Sequence, residues 1–302
     1  MENPLLHATP SHTSLPDDGF VFAADKLPPA AAAGAVSLPV VDLSLARPRR
    51  RPPRRARRRQ GPRFLPVFFF FTNLVVNHGV SSETMRDMEE MCEKFFRLPE
   101  AEPGKVALYS EEKQKPNRLF SGTTYNTRGK KYWRDCLRLA CPFPLDDSIN
   151  EWPDNPQGLR SVIEKFTVET RGVGMEILRL LCEGMGLRPD YFEGDLSGGD
   201  VILNVAYNVN FGQQLEVFTN GLLKSIEHRA MTYSVKAQTS VATFVMPTEG
   251  CLIGLAEEFV SEENPAGYRT TVFSDFMRIY NVVNLGASLN LTTNLKDVQK
   301  EL

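Results

Sequence analysis

Histidine and cysteine, which often bind transition metals or act in catalysis, are few in this chain. The four histidines are His7, His12, His78 and His228, and none is followed two positions later by an acidic residue. The five cysteines contain no CxxC pair. An odd number of unpaired cysteines indicates reduced core thiols in a cytosolic protein rather than a disulfide framework or a zinc site. His78 comes at the end of a predicted strand, where we expect a structural hydrogen bond rather than catalysis.

The net charge of −2 conceals a strong local asymmetry. Residues 47–63 contain ten arginines and no acid, so the remainder of the chain carries −12. An acidic body argues against a nucleic-acid-binding fold and against a membrane-surface protein. No apolar run approaches the ~20 residues of a membrane span. Because residues 1–15 show no secretory signal, we expect a cytoplasmic protein.

The first two-thirds of the chain combine short strands with two long helices. Residues 36–43 and 68–80 predict strands, and the second is followed by a turn. Apolar residues at helical spacing predict a helix over 81–98, with Ser82 as its N-cap, and a longer one over 156–186 that stops near Gly186. Prolines within 47–63 exclude a helix there, and we expect no regular structure in that segment.

From residue 201 the apolar period changes to two, which is typical of strands. We predict strands over 201–211, 215–218, 222–227 and 239–245, with a hairpin turn at Asn220-Gly221. A short helix is predicted over 273–280. Helices followed by antiparallel strands indicate an α+β protein whose second half is a sandwich or jelly roll.

Several segments resemble the plant 2-oxoglutarate/Fe(II)-dependent dioxygenases. They are LPVVDLS (38–44), VVNHGV (75–80), NGLLKSIEHRAM (220–231) and ENPAGYRTTVFSDFMRIY (263–280). The segments KYWRDCLRLACPFP and CEGMGLRPDYFEGDLSGG are similar to the members that hydroxylate mugineic acids, with hyoscyamine hydroxylase a more distant relative. The resemblance implies an N-terminal helical region followed by a double-stranded β-helix, or jelly roll. It also implies Fe(II) and 2-oxoglutarate as cofactors.

In that family two histidines and one carboxylate hold the iron, and an R-x-S motif binds the far carboxylate of 2-oxoglutarate. By resemblance, His228 occupies the place of the distal iron ligand. The R-x-S motif falls on residues 238–240, where Ser240 is kept and Gln238 replaces the arginine. Three further residues fall where relatives have substrate loops, and we expect ordinary surface packing for them: Tyr125, Arg134 and Asp135.

The His-x-Asp pair of the family has no counterpart here. VILNV (201–205) and AYNVNFGQQLEV (206–217) resemble segments that lie far apart in relatives, and here they are joined directly. Roughly sixty residues, or several strands, would be missing, which makes the jelly roll incomplete. The expected organisation is a loose arm over 1–35, an N-terminal dioxygenase region over 36–200 and a truncated jelly roll with a C-terminal helix over 201–302. Residues 47–63 look like a codon run read out of frame.

Three functions remain open on the sequence alone. The first is a dioxygenase-family oxidoreductase, catalytically impaired, whose partner is a small amino-carboxylate such as a mugineic acid. The second is a non-catalytic relic or binding protein. The third is nucleic-acid or importin binding through the arginine run, and the acidic remainder of the chain argues against it.

Overall fold

The computed structural model describes residues 39–45, 72–112, 114–121, 134–196, 201–205, 208–225 and 239–282. Its helices are α1 (Ser82–Arg97), α2 (Pro103–Leu108), α3 (Leu159–Met185), α4 (Gln213–Phe218) and α5 (Phe273–Val282). Its strands are β1 (Val40–Asp42), β2 (Thr72–Val76), β3 (Arg118–Ser121), β4 (Asp135–Arg138), β5 (Ala140–Cys141), β6 (Val201–Val205), β7 (Asn208–Asn210), β8 (Val241–Val245), β9 (Leu252–Ile253) and β10 (Thr271–Val272). The predicted arm over 1–35 and the arginine segment over 47–63 lie outside the described residues.

Helix α1 begins one residue earlier than its predicted cap implies, so the prediction of Ser82 as N-cap is wrong. Ser81 is extended, and its Oγ accepts a hydrogen bond from the Thr84 amide at 3.0 Å. This bond satisfies one of the amides that a helix start leaves without an intrahelical partner. The Ser81 amide and the Thr84 hydroxyl both donate to Glu169 of α3, at 3.1 Å each, so the cap also fixes α1 against α3.

Helix α3 is the longest element and organises the core along its length. Leu159, Ile163 and Phe166 of its first half pack with α1 and with the β3–β4 pair. Ile177 and Leu181 of its second half pack against β1 and β2. Gly186 ends the helix with a φ of 78°, as the sequence predicted, because glycine adopts this left-handed conformation without a steric penalty.

Two three-stranded sheets lie against α3. In the first, β2 pairs in parallel with β1 and antiparallel with β7. In the second, β6 pairs antiparallel with both β5 and β8. Val245 of β8 lies so close to α3 that a Cβ added at Gly174 would be 2.9 Å from its Cγ2. The remaining pairs are β3–β4 and β9–β10, both antiparallel.

The second half of the chain departs from the predicted strands in three places. Residues 213–218 form helix α4, so the predicted strand over 215–218 is wrong. Residues 222–225 form a bend and an irregular stretch rather than a strand. The predicted strand over 201–211 is divided into β6 and β7, which belong to different sheets. A run of three to five apolar residues does not distinguish a strand from a short helix, and tertiary packing decides between them.

The strand β8 and the helix α5 occur where the sequence predicted them. Together with α1 and α3 they confirm the mixture of helices and antiparallel strands. Across the described segments, no helix combines the length and apolar character that crossing a membrane would require.

Candidate functional site

A short helix and a tight turn lead into the segment that contains His228. Helix α4 starts after Gly212 and buries Val217 and Phe218 in two neighbouring hydrophobic clusters. Thr219 closes the helix, because its hydroxyl donates to the Leu215 carbonyl at 2.7 Å and accepts from the Leu223 amide at 3.0 Å. The chain therefore leaves α4 in a fixed direction.

The turn at Asn220-Gly221 is present, although helix α4 rather than a strand precedes it. Both residues have left-handed φ values, 49° and 81°. The Asn220 side chain holds the turn against the loop before β10. Its Nδ2 donates to the carbonyls of Phe259, Asn264 and Pro265 at 3.3, 3.2 and 3.1 Å, and its Oδ1 accepts from the Gly267 amide at 3.0 Å.

A buried carboxylate fixes the residues just before His228. Glu216 is only 6% exposed, and it accepts hydrogen bonds from the Ser225 amide at 2.8 Å, the Lys224 Nζ at 3.1 Å and the Tyr268 hydroxyl at 2.9 Å. Burial alone would lower the pKa of Lys224, but its hydrogen bonds to Glu216 and Tyr268 outweigh burial and raise that pKa. Burial and the bond to Glu216 raise the pKa of Tyr268. The cluster therefore positions Ser225, three residues before His228.

The other end of the same segment is Ser240, directly before β8. Thr243 and Val245 point toward α3, since the Thr243 Oγ1 lies 3.5 Å from that of Thr170 and Val245 approaches Gly174. Phe244 points the opposite way and is 49% exposed. Side chains alternate along a strand, so Ser240, which is exposed, belongs to the face directed away from α3. The predicted co-substrate residue Ser240 thus lies on an accessible face of its sheet.

The β3–β4 pair and β5 each have one side that packs into the core and one side that points away from it. Leu119, Leu137, Leu139 and Cys141 all contribute to the hydrophobic core, so their neighbours in sequence point to the other side. Those neighbours are Arg118, Phe120, Cys136, Arg138 and Ala140. Ala140 is paired with Ile202, which is paired with Phe244. The β3–β4 pair and the β5–β6–β8 sheet are nevertheless separate sheets, and Arg118 and Phe120 are buried.

The other residues that the sequence singled out are His78, Arg134, Asp135 and the cysteines, and the structure places each of them within the fold. The Nδ1 of His78 accepts a hydrogen bond from the Val80 amide at 3.1 Å, which is a structural hydrogen bond of the predicted kind, and burial lowers the pKa of its imidazole. Asp135 is paired with Ser121 across β3 and β4, and Arg134 is exposed. All five cysteines are free and at least partly buried, as predicted, and burial raises the pKa of Cys92 to about 12.

Among the described residues, no group of side chains is suited to hold Fe(II). In the parts of the chain that the structure describes, no three His, Cys, Asp or Glu side chains are grouped as a metal site. His228, Gln238 and Tyr125 lie outside those parts. The sequence supplies no His-x-Asp or His-x-Glu pair to accompany His228. The family's iron site uses two histidines and one carboxylate, and of that set the sequence retains only a counterpart of the distal histidine, His228.

Sequence reasoning did not identify the anchors around the candidate site. Glu216, Lys224 and Tyr268 are separated by up to 52 residues and form one cluster only after folding. The Asn220-Gly221 pair predicted a turn from local sequence alone. It did not predict that the Asn220 side chain binds the loop before β10. The direct pairing of Arg118 with Arg138 likewise required the strand register.

Known dioxygenases are similar to nearly the whole length of this chain. A family model, non-haem dioxygenase in morphine synthesis N-terminal, matches residues 67–155. The 2'-deoxymugineic-acid 2'-dioxygenase of Hordeum vulgare is 59% identical, with 100% of both chains covered. The mugineic-acid 3-dioxygenase of the same species is 38% identical, with 98% of each covered. The crystal structure of JOX2 in complex with 2OG, Fe and JA superposes with a TM-score of 0.74 at 22% identity, covering 94% of this chain and 95% of that one.

The length of the alignments is informative in its own right. The alignment with the 59% identical relative extends over 354 positions, whereas this chain has 302 residues. The difference of 52 means that at least that many aligned positions have no residue in this chain. The structural likeness to JOX2 and to the rice dioxygenase for auxin oxidation (TM-score 0.61, 15% identity, 80% of this chain and 94% of that one) supports a jelly-roll relationship for the fold.

Proposed function

Because this chain belongs to the plant 2-oxoglutarate/Fe(II)-dependent dioxygenase family, we propose that it derives from an oxidoreductase that hydroxylates a small amino-carboxylate such as a mugineic acid. The observation that carries the proposal is the 59% identity, over both full lengths, to a 2'-deoxymugineic-acid 2'-dioxygenase. We further propose that the chain in its present form holds neither Fe(II) nor 2-oxoglutarate well enough for turnover.

The first support for this loss is the arrangement of the sheets. Only residues 206 and 207 separate β6 from β7, yet these strands belong to different sheets. Both sheets pack on α3. Among the described residues, β7 and β8 are each an edge strand of their sheet. We infer that central strands of the jelly roll, which would follow residue 205, are missing. The 52 unmatched alignment positions support a deletion of this size.

The second support comes from the ligands themselves. In the family, the first histidine and the aspartate belong to the segment that we infer to be missing. Loss of two of three ligands removes most of the chelate effect that retains Fe(II), which binds weakly among the divalent metals. Gln238 removes the charge of the R-x-S arginine, and a charge-assisted bidentate pair is about twice as strong as a neutral one. The Ser240 hydroxyl remains as a donor to a carboxylate.

The organisation of the chain follows from the same proposal. Residues 36–200 correspond to the N-terminal dioxygenase region and 201–302 to the truncated jelly roll with the C-terminal helix. Residues 1–35 precede both regions, and residues 47–63 stand where the family has a helix. With this organisation, the chain keeps the elements that pack around α3 but lacks the segment that contains two of the family's iron ligands.

The experiment that tests the proposal measures Fe(II) binding, without oxygen, by the chain and by two repaired variants. In the first, the segment present in the barley relative is inserted between Val205 and Ala206. In the second, Gln238→Arg is added to that insertion. We expect weak binding by the original chain, one tightly bound Fe(II) in both repaired variants, and tight 2-oxoglutarate binding only in the second.

Two results would contradict the proposal. One is stoichiometric Fe(II) binding by the unmodified chain that is lost in His228→Ala, because it would show that a complete ligand set is present. The other is failure of both repaired variants to bind Fe(II) while they remain folded by circular dichroism, because the scaffold would then not be that of a dioxygenase.

A further inference from the structure

A cleft lies between helix α2, residues 115–117 and residues 150–154, and its volume is about 400 Å³. Small-molecule sites usually occupy about 300–1,000 Å³ and have mainly apolar walls. Leu108 and Trp152 belong to the walls, and both are buried core residues. The Trp152 Nε1 donates to the Ala140 carbonyl at 3.0 Å, so the indole ring is held in one orientation. The cleft therefore has a fixed apolar wall.

The side of α2 that faces the cleft carries small side chains. Gly104, Ala107 and Leu108 line the cleft, as expected of positions three and four apart, which share one face of a helix. A Cβ added at Gly104 would have no heavy atom within 4 Å. The sequence of α2 therefore leaves space beside the helix, and a large side chain at position 104 would occupy it.

Two cationic side chains, Arg160 and Lys115, line the cleft. The guanidinium of Arg160 is fixed, because its Nε donates to the Trp152 carbonyl at 2.8 Å and its Nη2 donates to the Asn150 carbonyl at 3.1 Å. An arginine has five N–H donors, so three remain for a further acceptor. Carbonyl acceptors do not neutralise the charge of Arg160, and a carboxylate is the group that its fork matches best.

Two carboxylates, Glu151 and Asp154, line the same cleft. Glu151 is held by Asn117, which is 8% exposed and whose Nδ2 donates to the Glu151 Oε2 at 2.9 Å. Asn117 is fixed in turn, because its Oδ1 accepts a hydrogen bond from the Ala140 amide at 2.9 Å. A neutral amide does not compensate a carboxylate, so Glu151 keeps its capacity to pair with a cation.

The four charged side chains do not neutralise one another. Within the part of the chain that the structure describes, no ion pair involves Lys115, Glu151, Asp154 or Arg160. A ligand with charges of both signs can pair with all four, whereas a simple anion or cation would pair with two and face two like charges. The arrangement therefore matches a zwitterion with an apolar part.

We propose that this cleft binds a small zwitterion, namely a free amino acid with an apolar side chain. Its carboxylate pairs with Arg160 and Lys115, and its ammonium pairs with Glu151 and Asp154. Its side chain lies against the apolar wall. The inference does not depend on the proposed function, because Ser240, the described residue to which resemblance assigns a cofactor role, is not part of the cleft.

The experiment titrates the full-length chain with L-leucine by isothermal calorimetry, without added metal and at constant ionic strength. We expect saturable binding with one L-leucine per chain. Isocaproate has the same carbon skeleton without the ammonium, and isoamylamine lacks the carboxylate. Each should bind about tenfold or more weakly than L-leucine, because hydrogen bonds to charged groups are lost.

A blocking variant tests the position of the site. Gly104→Phe fills the space beside α2 and should weaken the L-leucine Kd by about tenfold or more, because the new ring and the ligand would clash. The matched control is Val106→Phe, at a position that is 59% exposed and lies on the other side of α2. This control should change the Kd by less than about twofold. Circular dichroism establishes that both variants are folded.

Charge variants test the two halves of the site and carry the conclusion if Gly104→Phe fails to fold. Lys115→Gln and Asp154→Asn should each weaken the L-leucine Kd by about threefold or more, since each removes one partly solvated ion pair with the ligand. The matched controls are Lys94→Gln on α1 and Asp275→Asn on α5, both in exposed ion pairs away from the cleft. Each control should change the Kd by less than about twofold.

Three outcomes would overturn the inference. The first is the absence of saturable L-leucine binding. The second is binding of isocaproate or isoamylamine as tightly as L-leucine, which would show that the cleft recognises only one charge. The third is an unchanged Kd in folded Gly104→Phe, or equal effects of the charge variants and their controls, which would place binding elsewhere. None of these outcomes bears on Fe(II) binding, so failure of this inference is distinguishable from failure of the proposed function.

Discussion

The substitution Gly174→Ala tests the contact between α3 and β8, on which the position of the Ser240 face depends. A Cβ added at Gly174 would lie 2.9 Å from the Val245 Cγ2, closer than real Cβ contacts come, so the helix or the strand must shift. Such overpacking costs about 1–3 kcal/mol. At Gly172, on the same helix, an added Cβ has no heavy atom within 4 Å. Gly172→Ala is therefore a matched control.

Both substitutions change helix propensity in the same way, but only Gly174→Ala adds an atom against Val245. Replacing glycine by alanine inside a helix stabilises it by about 1 kcal/mol at either position. Gly172→Ala should therefore raise the free energy of unfolding by up to about 1 kcal/mol. Gly174→Ala should give a free energy of unfolding about 1–3 kcal/mol below that of Gly172→Ala, because the helix contribution cancels in the comparison and the contact with Val245 remains.

Urea denaturation followed by circular dichroism measures both free energies, provided that the denaturant slopes agree. Val245→Ala removes the atom that the new Cβ would strike, so the penalty of Gly174→Ala should shrink in that background. Equal free energies for Gly172→Ala and Gly174→Ala, within about 0.5 kcal/mol, would refute the contact. A penalty that is unchanged by Val245→Ala would show that a different neighbour is responsible.

Three further predictions concern single residues. Glu216→Gln should lower the free energy of unfolding by about 2–4 kcal/mol, because a buried carboxylate with three donors loses its charge; a change equal to that of the exposed control Glu164→Gln would contradict the described cluster. Asn220→Ala should cost about 2 kcal/mol by urea denaturation, since it removes the bonds to the loop before β10 and leaves a left-handed residue without its side-chain support, whereas an unchanged urea midpoint would argue against that role. Native Cys92 should resist iodoacetamide at pH 9, because burial raises its pKa to about 12. As the pH rises above 9.0, the thiol ionises in the unfolded chain before it ionises in the native one, so the stabilisation from the buried neutral thiol is complete below pH 9.0 and is lost toward pH 12. Labelling of native Cys92 as fast as that of the urea-unfolded chain would contradict this prediction.

The long helices were predictable because their apolar stripes repeat over several turns. Helix α3 contains enough repeats to specify both its buried face and its end at Gly186. Helix α4 was predicted wrongly as a strand because six residues contain too little periodicity. Leu215 and Val217 alternate as in a strand, but Leu215 and Phe218 also have helical spacing, and contacts with distant residues select the helix.

The candidate site was predictable only to the extent that resemblance assigned roles to residues. Ser240 is exposed, and His228 and Gln238 lie outside the described residues, so the roles of all three stay predictions. The anchor at Glu216 and the pairing of Arg118 with Arg138 depend on contacts between segments far apart in sequence. Alternation within one strand predicts a face, but it does not predict which strand lies beside it.

The most direct test of the central proposal is the conversion of 2-oxoglutarate to succinate by the purified chain, supplied with Fe(II), ascorbate and oxygen. The barley 2'-deoxymugineic-acid 2'-dioxygenase serves as the positive control under the same conditions. On the proposed loss of the other two iron ligands, we expect succinate formation by the chain to stay at the level of a protein-free mixture, because one histidine would not retain Fe(II). Succinate formation by the chain that is abolished in His228→Ala would contradict the account and show a working iron site.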